Sequence, residues 1–217
     1  MNRGLFITFE GPDAAGKTTQ IRKVAAYLNE KNRPYLLTRE PGGTRISEMI
    51  RAIILDPEHK EMADETEVLL YAASRAQHVR ETIVPALEQG KIVLCDRFVD
   101  ASVAYQGYGL GVDIEKVLEI NRFATGGLMP DRSYFIDISP EEAQKRMLSR
   151  SGESIDRIEQ KQRGYHDRVR QGFRRLYEND RTRIRMIDGH RSVETIFAFI
   201  RDDLEHVLFF QTGQKGG

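Results

Sequence analysis

Residues 11–19 read GPDAAGKTT, with Gly11, Gly16, Lys17 and Thr18 in the spacing G-x-x-x-x-G-K-[ST]. The pattern works only as a turn with two specific flanks. Glycines let the backbone curl until its N–H groups point inward at an anion, a strand delivers the chain to the turn, and a helix begins behind it. Both flanks are present. The run LFITFE (5–10) has the β-branched and aromatic content of a buried strand, and the apolar spacing after the motif predicts a helix from about Lys17 to Leu28.

Four more runs repeat the theme: YLLTRE (35–40), KIVLCDR (91–97), SYFIDIS (133–139) and IRMIDG (184–189). Each is followed by helical or loop-plus-helix sequence, which predicts an α/β chain with a parallel sheet and helices on both faces. Segment 62–89 keeps Val68, Leu69, Ala72, Ala73, Val79 and Ile83 at helical spacing, so a long helix is expected, kinked or stopped near Pro85. A last helix is expected over 193–210, with Ile196, Phe199, Ile200, Leu204, Val207 and Leu208 on one stripe. No repeat or linker divides the chain, so residues 1–212 read as one domain and 213–217 as a flexible tail. The charged stretch SRSGESIDRIEQKQRG (149–164) reads as an excursion between two helices.

Composition narrows the partners. Lys plus Arg number 33 and Asp plus Glu 33, which removes the basic excess expected of a nucleic-acid-binding chain and makes any anion site local. No apolar stretch reaches membrane-spanning length and the N-terminus has no signal-like run, so a soluble, cytoplasmic protein is expected with no membrane partner. The lone Cys95 lies in an apolar strand and reads as a buried thiol, and the five histidines show no metal-ligand spacing.

The motif implies a bound nucleoside triphosphate. Lys17 is placed to bridge β- and γ-phosphates, and Thr18, with Thr19 beside it, to ligate Mg²⁺. Asp96 follows an apolar strand and lies at the carboxyl edge of the sheet, where it can join the Mg²⁺ shell. The loop leaves the phosphate acceptor open, since switches, motors and small-molecule kinases all share it. Arginines narrow the choice: Arg39 in TREPGGT, Arg75 in YAASRAQH, Arg97 in CDRFVD and Arg157 in SIDRIE suggest a second phosphate beside the first.

Taken in order, GPDAAGKTT, TREPGGT (38–44), YAASR (71–75), DRFVDASVAYQG (96–107) and DRIE (156–159) resemble the bacterial thymidylate kinase family over nearly the whole chain. The resemblance implies a three-layer P-loop NTPase fold with a five-stranded parallel sheet and a short lid at about 149–160, transfer of the ATP γ-phosphoryl group to dTMP with Mg²⁺, and a homodimer. It implies that Gly11, Pro12, Asp13, Ala14, Ala15, Gly16, Lys17, Thr18 and Thr19 hold the nucleotide, with Arg146 against adenine. Arg39, Arg75 and Arg97 would clamp the dTMP phosphate, Tyr71 would stack on thymine, and Gln106 would hydrogen-bond the base with Ser102 nearby. Tyr105 would crowd the 2′ position and Asp13 would take the 3′-hydroxyl. Because the loop interior carries no base, the resemblance gives Arg150 and Arg157 of the lid the contact with the transferred phosphoryl group, with Asp156 and Glu159 orienting them.

Two positions depart from the family pattern. Ala14 stands where glycine is usual, and Leu110 where an arginine is usual in G-x-G-R-G. Other acceptors, a GTP-dependent switch and a nucleotide-binding protein without catalysis are the competing readings. The first is opposed by TREPGGT with AYQG, and the second by the lack of an N-K-x-D guanine-reading motif.

Overall fold

The computed structural model describes residues 3–149 and 156–213. Among them five strands, β1 (Phe6–Glu10), β2 (Tyr35–Arg39), β3 (Ile92–Asp96), β4 (Arg132–Asp137) and β5 (Ile184–Asp188), form one parallel sheet in the order β2-β3-β1-β4-β5. The helices are α1 (Lys17–Glu30), α2 (Arg45–Leu55), α3 (Asp64–His78), α4 (Val84–Glu88), α5 (Val99–Ser102), α6 (Ile114–Thr125), α7 (Pro140–Leu148), α8 (Arg163–Asn179) and α9 (Val193–Gly213). The strands expected from the sequence are all present, with ends shifted by no more than two residues.

β1 and β4 are buried along their whole length and β3 nearly so. That is why they read as continuous apolar runs: helices cover both faces of the sheet. Alternate residues of β1 feed opposite layers. Ile7 and Phe9 pack with Val24 and Leu28 of α1 and with Ile200 and Leu204 of α9, whereas Phe6 packs with Ile83, Val93 and Phe98 on the other face. Thr8 shares that second face and starts a polar seam through the core. Thr8 and Ser133 hydroxyls lie 2.8 Å apart, Ser133 donates to Asp100, and Arg183 grips Asp100 with two nitrogens at 2.7 and 2.9 Å. A buried carboxylate held by a paired guanidinium satisfies both charges.

The long helix expected around 62–89 is neither stopped nor simply bent at Pro85. It runs from α3 into α4 through a widened π turn, Val79–Ile83. Proline lacks an N–H and its ring presses on the carbonyl four residues earlier, so widening the turn just before it lets the helix continue. A second π turn, Val103–Gly109, follows α5 and carries Tyr105 and Gln106. Here Gly109 is required by close approach: an added Cβ would stand 2.7 Å from the Tyr165 ring and 2.8 Å from Val169. Arg168 of α8 donates to the Gly109 carbonyl at 3.0 and 2.7 Å and locks the two elements together.

Candidate active site

The site lies at the carboxyl ends of β1, β2 and β3, which deliver the phosphate loop, Arg39 with Glu40, and Asp96 with Arg97, beside the point where the strand order reverses around β1. The phosphate loop joins β1 to α1. Gly11 passes so close to β4 that a Cβ would sit 2.4 Å from the Ile136 carbonyl oxygen. Gly16 turns the chain at φ 98° and caps α1 without a side-chain acceptor, so the first N–H groups of α1 remain available to an anion. Lys17 folds back over its own loop, donating to the carbonyls of Gly11 at 3.2 Å and Pro12 at 2.9 Å. Burial, and then repulsion from Arg97, lower the pKa of its ammonium. Thr18 Oγ1 donates to Asp96 Oδ2 at 3.4 Å, which brings together a hydroxyl and a carboxylate, the hard oxygen donors that Mg²⁺ takes.

Ala14 adopts φ 59°, the left-handed region in which a Cβ costs about 1–2 kcal/mol. Ala14→Gly is therefore expected to stabilise the chain, although the greater freedom of glycine in the unfolded chain offsets roughly half of the gain. A rise in melting temperature of about 1–4 °C by calorimetry is the expected result, and a fall would show that the Ala14 methyl contributes more by packing than it costs in backbone strain.

Arg97 is also left-handed, at φ 71°. Its backbone N–H continues the sheet to the Phe9 carbonyl at 3.0 Å, and its guanidinium reaches back across the loop, to Gly11 O at 2.9 Å and Asp13 Oδ1 at 2.8 Å, over the Tyr105 ring at 4.9 Å. Burial pushes the Asp13 carboxyl up, but Arg97 and Lys17 outweigh it and hold its pKa at about 2. Glu10 behaves in the opposite sense. Its Oε1 accepts the Phe98 N–H at 2.9 Å, which holds the chain just after Arg97, while its Oε2 is buried without a partner among the described residues. Burial and the nearby Asp100 push its pKa up to about 8 from 4.5.

A carboxyl protonated in the native state but ionised in the unfolded chain favours folding below the unfolded pKa and loses that advantage as pH rises to the folded one. The expected loss is about 1.4 kcal/mol per pH unit between pH 4.5 and about 8. Glu10→Gln should remove this slope, so denaturant titrations of parent and variant should diverge across that window and run parallel above it. Parallel curves throughout would overturn the assignment.

Beside the loop chamber a cleft of about 550 Å³ is lined by Tyr71, Arg75, Ser102, Tyr105 and Gln106 and closed by Asp156 and Ile158. The two spaces share Asp13, Glu40, Arg51 and Arg97 as a common wall. Burial pushes the Tyr71 and Tyr105 hydroxyls up, so both stay neutral. Gln106 is buried and donates from Nε2 to Glu67 Oε1 at 3.0 Å.

Several expected residues stand elsewhere than anticipated. Arg75, expected on the acceptor phosphate, is 2 % exposed at the deep end of the cleft and absent from the lining of the loop chamber. Nε donates to Glu40 at 2.6 Å, Nη1 to Ser102 at 2.8 Å and to Asn121, and Nη2 to the Phe98 carbonyl at 3.0 Å. Four of its five N–H groups are thus used by the protein, which leaves one for a ligand. Arg157, expected to reach the transferred phosphoryl group, is turned inward, with Nε on Ile54 O at 2.8 Å and Nη2 on Glu67 Oε2 at 2.7 Å. The buried carboxylate of Glu67 claims it.

Asp156 and Glu159 bond to the backbone of their own turn. Asp156 Oδ1 accepts the N–H groups of Ile158 and Glu159 at 2.9 Å each, and Glu159 Oε2 accepts the Asp156 N–H at 3.0 Å. Arg146 bonds to Glu142 at 2.6 Å and to the Gly189 carbonyl at 3.0 Å, spanning α7 and the turn after β5. Arg39 lines the loop chamber but is tied to Pro41 O at 2.8 Å and Glu48 at 3.0 Å. Arg150 lies outside the described residues.

Three residues escaped the sequence reading. Arg51 of α2 lines both spaces and donates to Pro41 O at 3.0 Å, and burial lowers its pKa. Glu40 joins Arg75 to His78, whose Nδ1 is 2.9 Å away. Glu67 joins Gln106 to Arg157. Glu40 stands inside the quoted TREPGGT, so the signal for it was the need of a buried Arg75 for a carboxylate partner. Arg51 and Glu67 lie on helices among other charged residues, where one more charge reads as part of a solvated face.

The geometry agrees with comparisons to known proteins. The thymidylate kinase family model matches residues 9–200. A thymidylate kinase of Exiguobacterium sibiricum is 53 % identical over 89 % of this chain and 90 % of its own, and one of Symbiobacterium thermophilum is 50 % identical over 94 % of each. The crystal structure of thymidylate kinase from Ehrlichia chaffeensis superposes with a TM-score of 0.75 at 32 % identity, covering 94 % of this chain and 99 % of that one. Sheet order, phosphate loop and paired chambers thus coincide with a sequence match over most of the length, and the chain belongs to the thymidylate kinase family.

Proposed function

We propose that the protein transfers the γ-phosphoryl group of ATP to dTMP, giving dTDP and ADP, as a cytoplasmic step in thymidine nucleotide supply. The observation that carries this reading is the common wall: a triphosphate on the loop and a monophosphate in the cleft would meet at Asp13, Arg51 and Arg97. Phosphoryl transfer asks mainly for two phosphates held in line and for charge neutralised between them. Thr18 and Asp96 would hold Mg²⁺, which when bound neutralises charge on the β- and γ-phosphates. Lys17 supplies a donor to the same oxygens, and Arg97 presents the acceptor phosphate while bracing the loop through Gly11 and Asp13. With Arg157 committed to Glu67, the lid contact to the transferred group falls to Arg150, on sequence alone.

The base end of the cleft suits thymine. The one N–H of Arg75 left over is a donor for a carbonyl oxygen, and Tyr71 offers a neutral aromatic face. Homodimerisation through α2, α3 and α6 accounts for the exposed Met49, Ile53, Leu69 and Phe123 on those helices, and sedimentation equilibrium measures it directly.

The deciding experiment is ADP formation from Mg-ATP with dTMP, dUMP, UMP, AMP, CMP and GMP offered separately, using the parent chain and Arg150→Ala. Selective turnover of dTMP, with kcat reduced in the variant, is expected. Turnover that ignores dTMP would refute the acceptor assignment, and undiminished kcat in Arg150→Ala would refute the lid assignment.

A further inference from the structure

Gln106 and Arg157, from distant parts of the chain, meet on one carboxylate. Glu67, in the first turn of α3, is 1 % exposed. Its Oε1 accepts from Gln106 Nε2 at 3.0 Å, its Oε2 from Arg157 Nη2 at 2.7 Å, and Lys161 Nζ stands 3.7 Å from Oε2. Arg157 is itself anchored on the end of α2, through Nε to Ile54 O and through its backbone N–H to Leu55 O at 3.2 Å. The carboxylate is therefore held in place from behind.

A carboxylate paired with a guanidinium offers only acceptor lone pairs. The Gln106 amide must then turn its NH₂ to Glu67, which leaves its carbonyl oxygen as the group presented to the cleft that Gln106 lines. A glutamine without such a neighbour exposes either end, since the two are nearly equal in shape. We infer that Glu67 sets the base preference of the acceptor cleft, by fixing the Gln106 amide with its oxygen toward the ligand; this rests on the reading of the cleft as a pyrimidine nucleotide site. Thymine and uracil carry a hydrogen on N3 and donate to that oxygen, whereas cytosine has a bare N3 that repels it. Turned around, the same amide would favour cytosine. Glu67 is a positioning residue: it acts through Gln106 without touching the ligand.

The test is the ratio of kcat/KM for dTMP to that for dCMP in the parent, Glu67→Gln, Gln106→Ala and the double variant. The amide introduced by Glu67→Gln presents either a donor or an acceptor, so Gln106 is released to turn. The dTMP/dCMP ratio is expected to fall by about tenfold or more, chiefly through KM for dTMP, since hydrogen-bonding sites owe their selectivity to groups left unpaired by the wrong ligand. In the Gln106→Ala background the same substitution should leave the ratio unchanged. An unchanged ratio in folded Glu67→Gln, or an equal fall with and without Gln106, would overturn the inference. If Glu67→Gln fails to fold, the pair Glu67→Met with Arg157→Leu removes the carboxylate together with its guanidinium partner and is read by the same ratio. A parent chain that does not prefer dTMP to dCMP would instead refute the acceptor reading itself.

Discussion

Lys17→Met is expected to lower kcat for phosphoryl transfer by about a thousandfold, in line with the loss of a preorganised donor from a charge-stabilising site. It should also leave the fold at least as stable. The ammonium is buried and donates to the carbonyls of Gly11 and Pro12, and its pKa is lowered by burial and by Arg97. The buried charge is therefore held at a net cost, since the nearby Asp96, Asp13 and Glu10 carboxylates offset burial only in part, and a bound phosphate would remove that cost. Methionine keeps most of the stem and removes the charge. Steady-state ADP formation and a thermal melt test both halves: lost turnover with an unchanged or raised midpoint is expected. Lost turnover with a midpoint several degrees lower would mean that Lys17 is chiefly a support for the loop.

Arg97→Lys should cost about 10²–10³ in kcat/KM for dTMP, expressed mostly in the acceptor KM. Both residues pay the same backbone cost at φ 71°, so the comparison isolates the guanidinium. Arginine spans Gly11 O and Asp13 Oδ1 with two nitrogens of one plane while lying over the Tyr105 ring. A lysine is a point charge on a flexible stem and cannot make the three contacts together. Initial-rate measurements with dTMP varied at saturating ATP read the effect, and a variant with parental KM would show that the acceptor phosphate is held by Arg51 or Arg39.

The frame was legible because it depends on short-range patterns. Buried parallel strands announce themselves as apolar runs, and the turn between β1 and α1 requires glycines at set positions, so strands, phosphate loop and helices α1 and α9 lie close to where the sequence puts them. Ala14 stood out as a departure for the same reason, since a positive φ in that loop is a local demand that glycine meets most easily. What stayed hidden depends on pairing across long separations. Arg157 reads as a lid cation until Glu67, 90 residues away, is seen to hold it, and Arg75 reads as a phosphate clamp until Glu40, Ser102 and Asn121 are seen to use its donors. A sequence shows which residues are charged, but the choice between ligand and buried partner is made by the fold. The π turn that presents Gln106 was hidden too, because its spacing imitates neither an ordinary helix nor a strand.

The wall shared by the two chambers has a thermodynamic consequence. Asp13, Arg51 and Arg97 border the nucleotide and the acceptor alike, so occupancy of one side alters the field and the free donors met on the other. Such heterotropic coupling is reciprocal: the factor by which a bound nucleotide changes the affinity for dTMP must equal the factor by which dTMP changes the affinity for that nucleotide. The same residues that align the phosphates therefore also tie the saturation of one substrate to the concentration of the other.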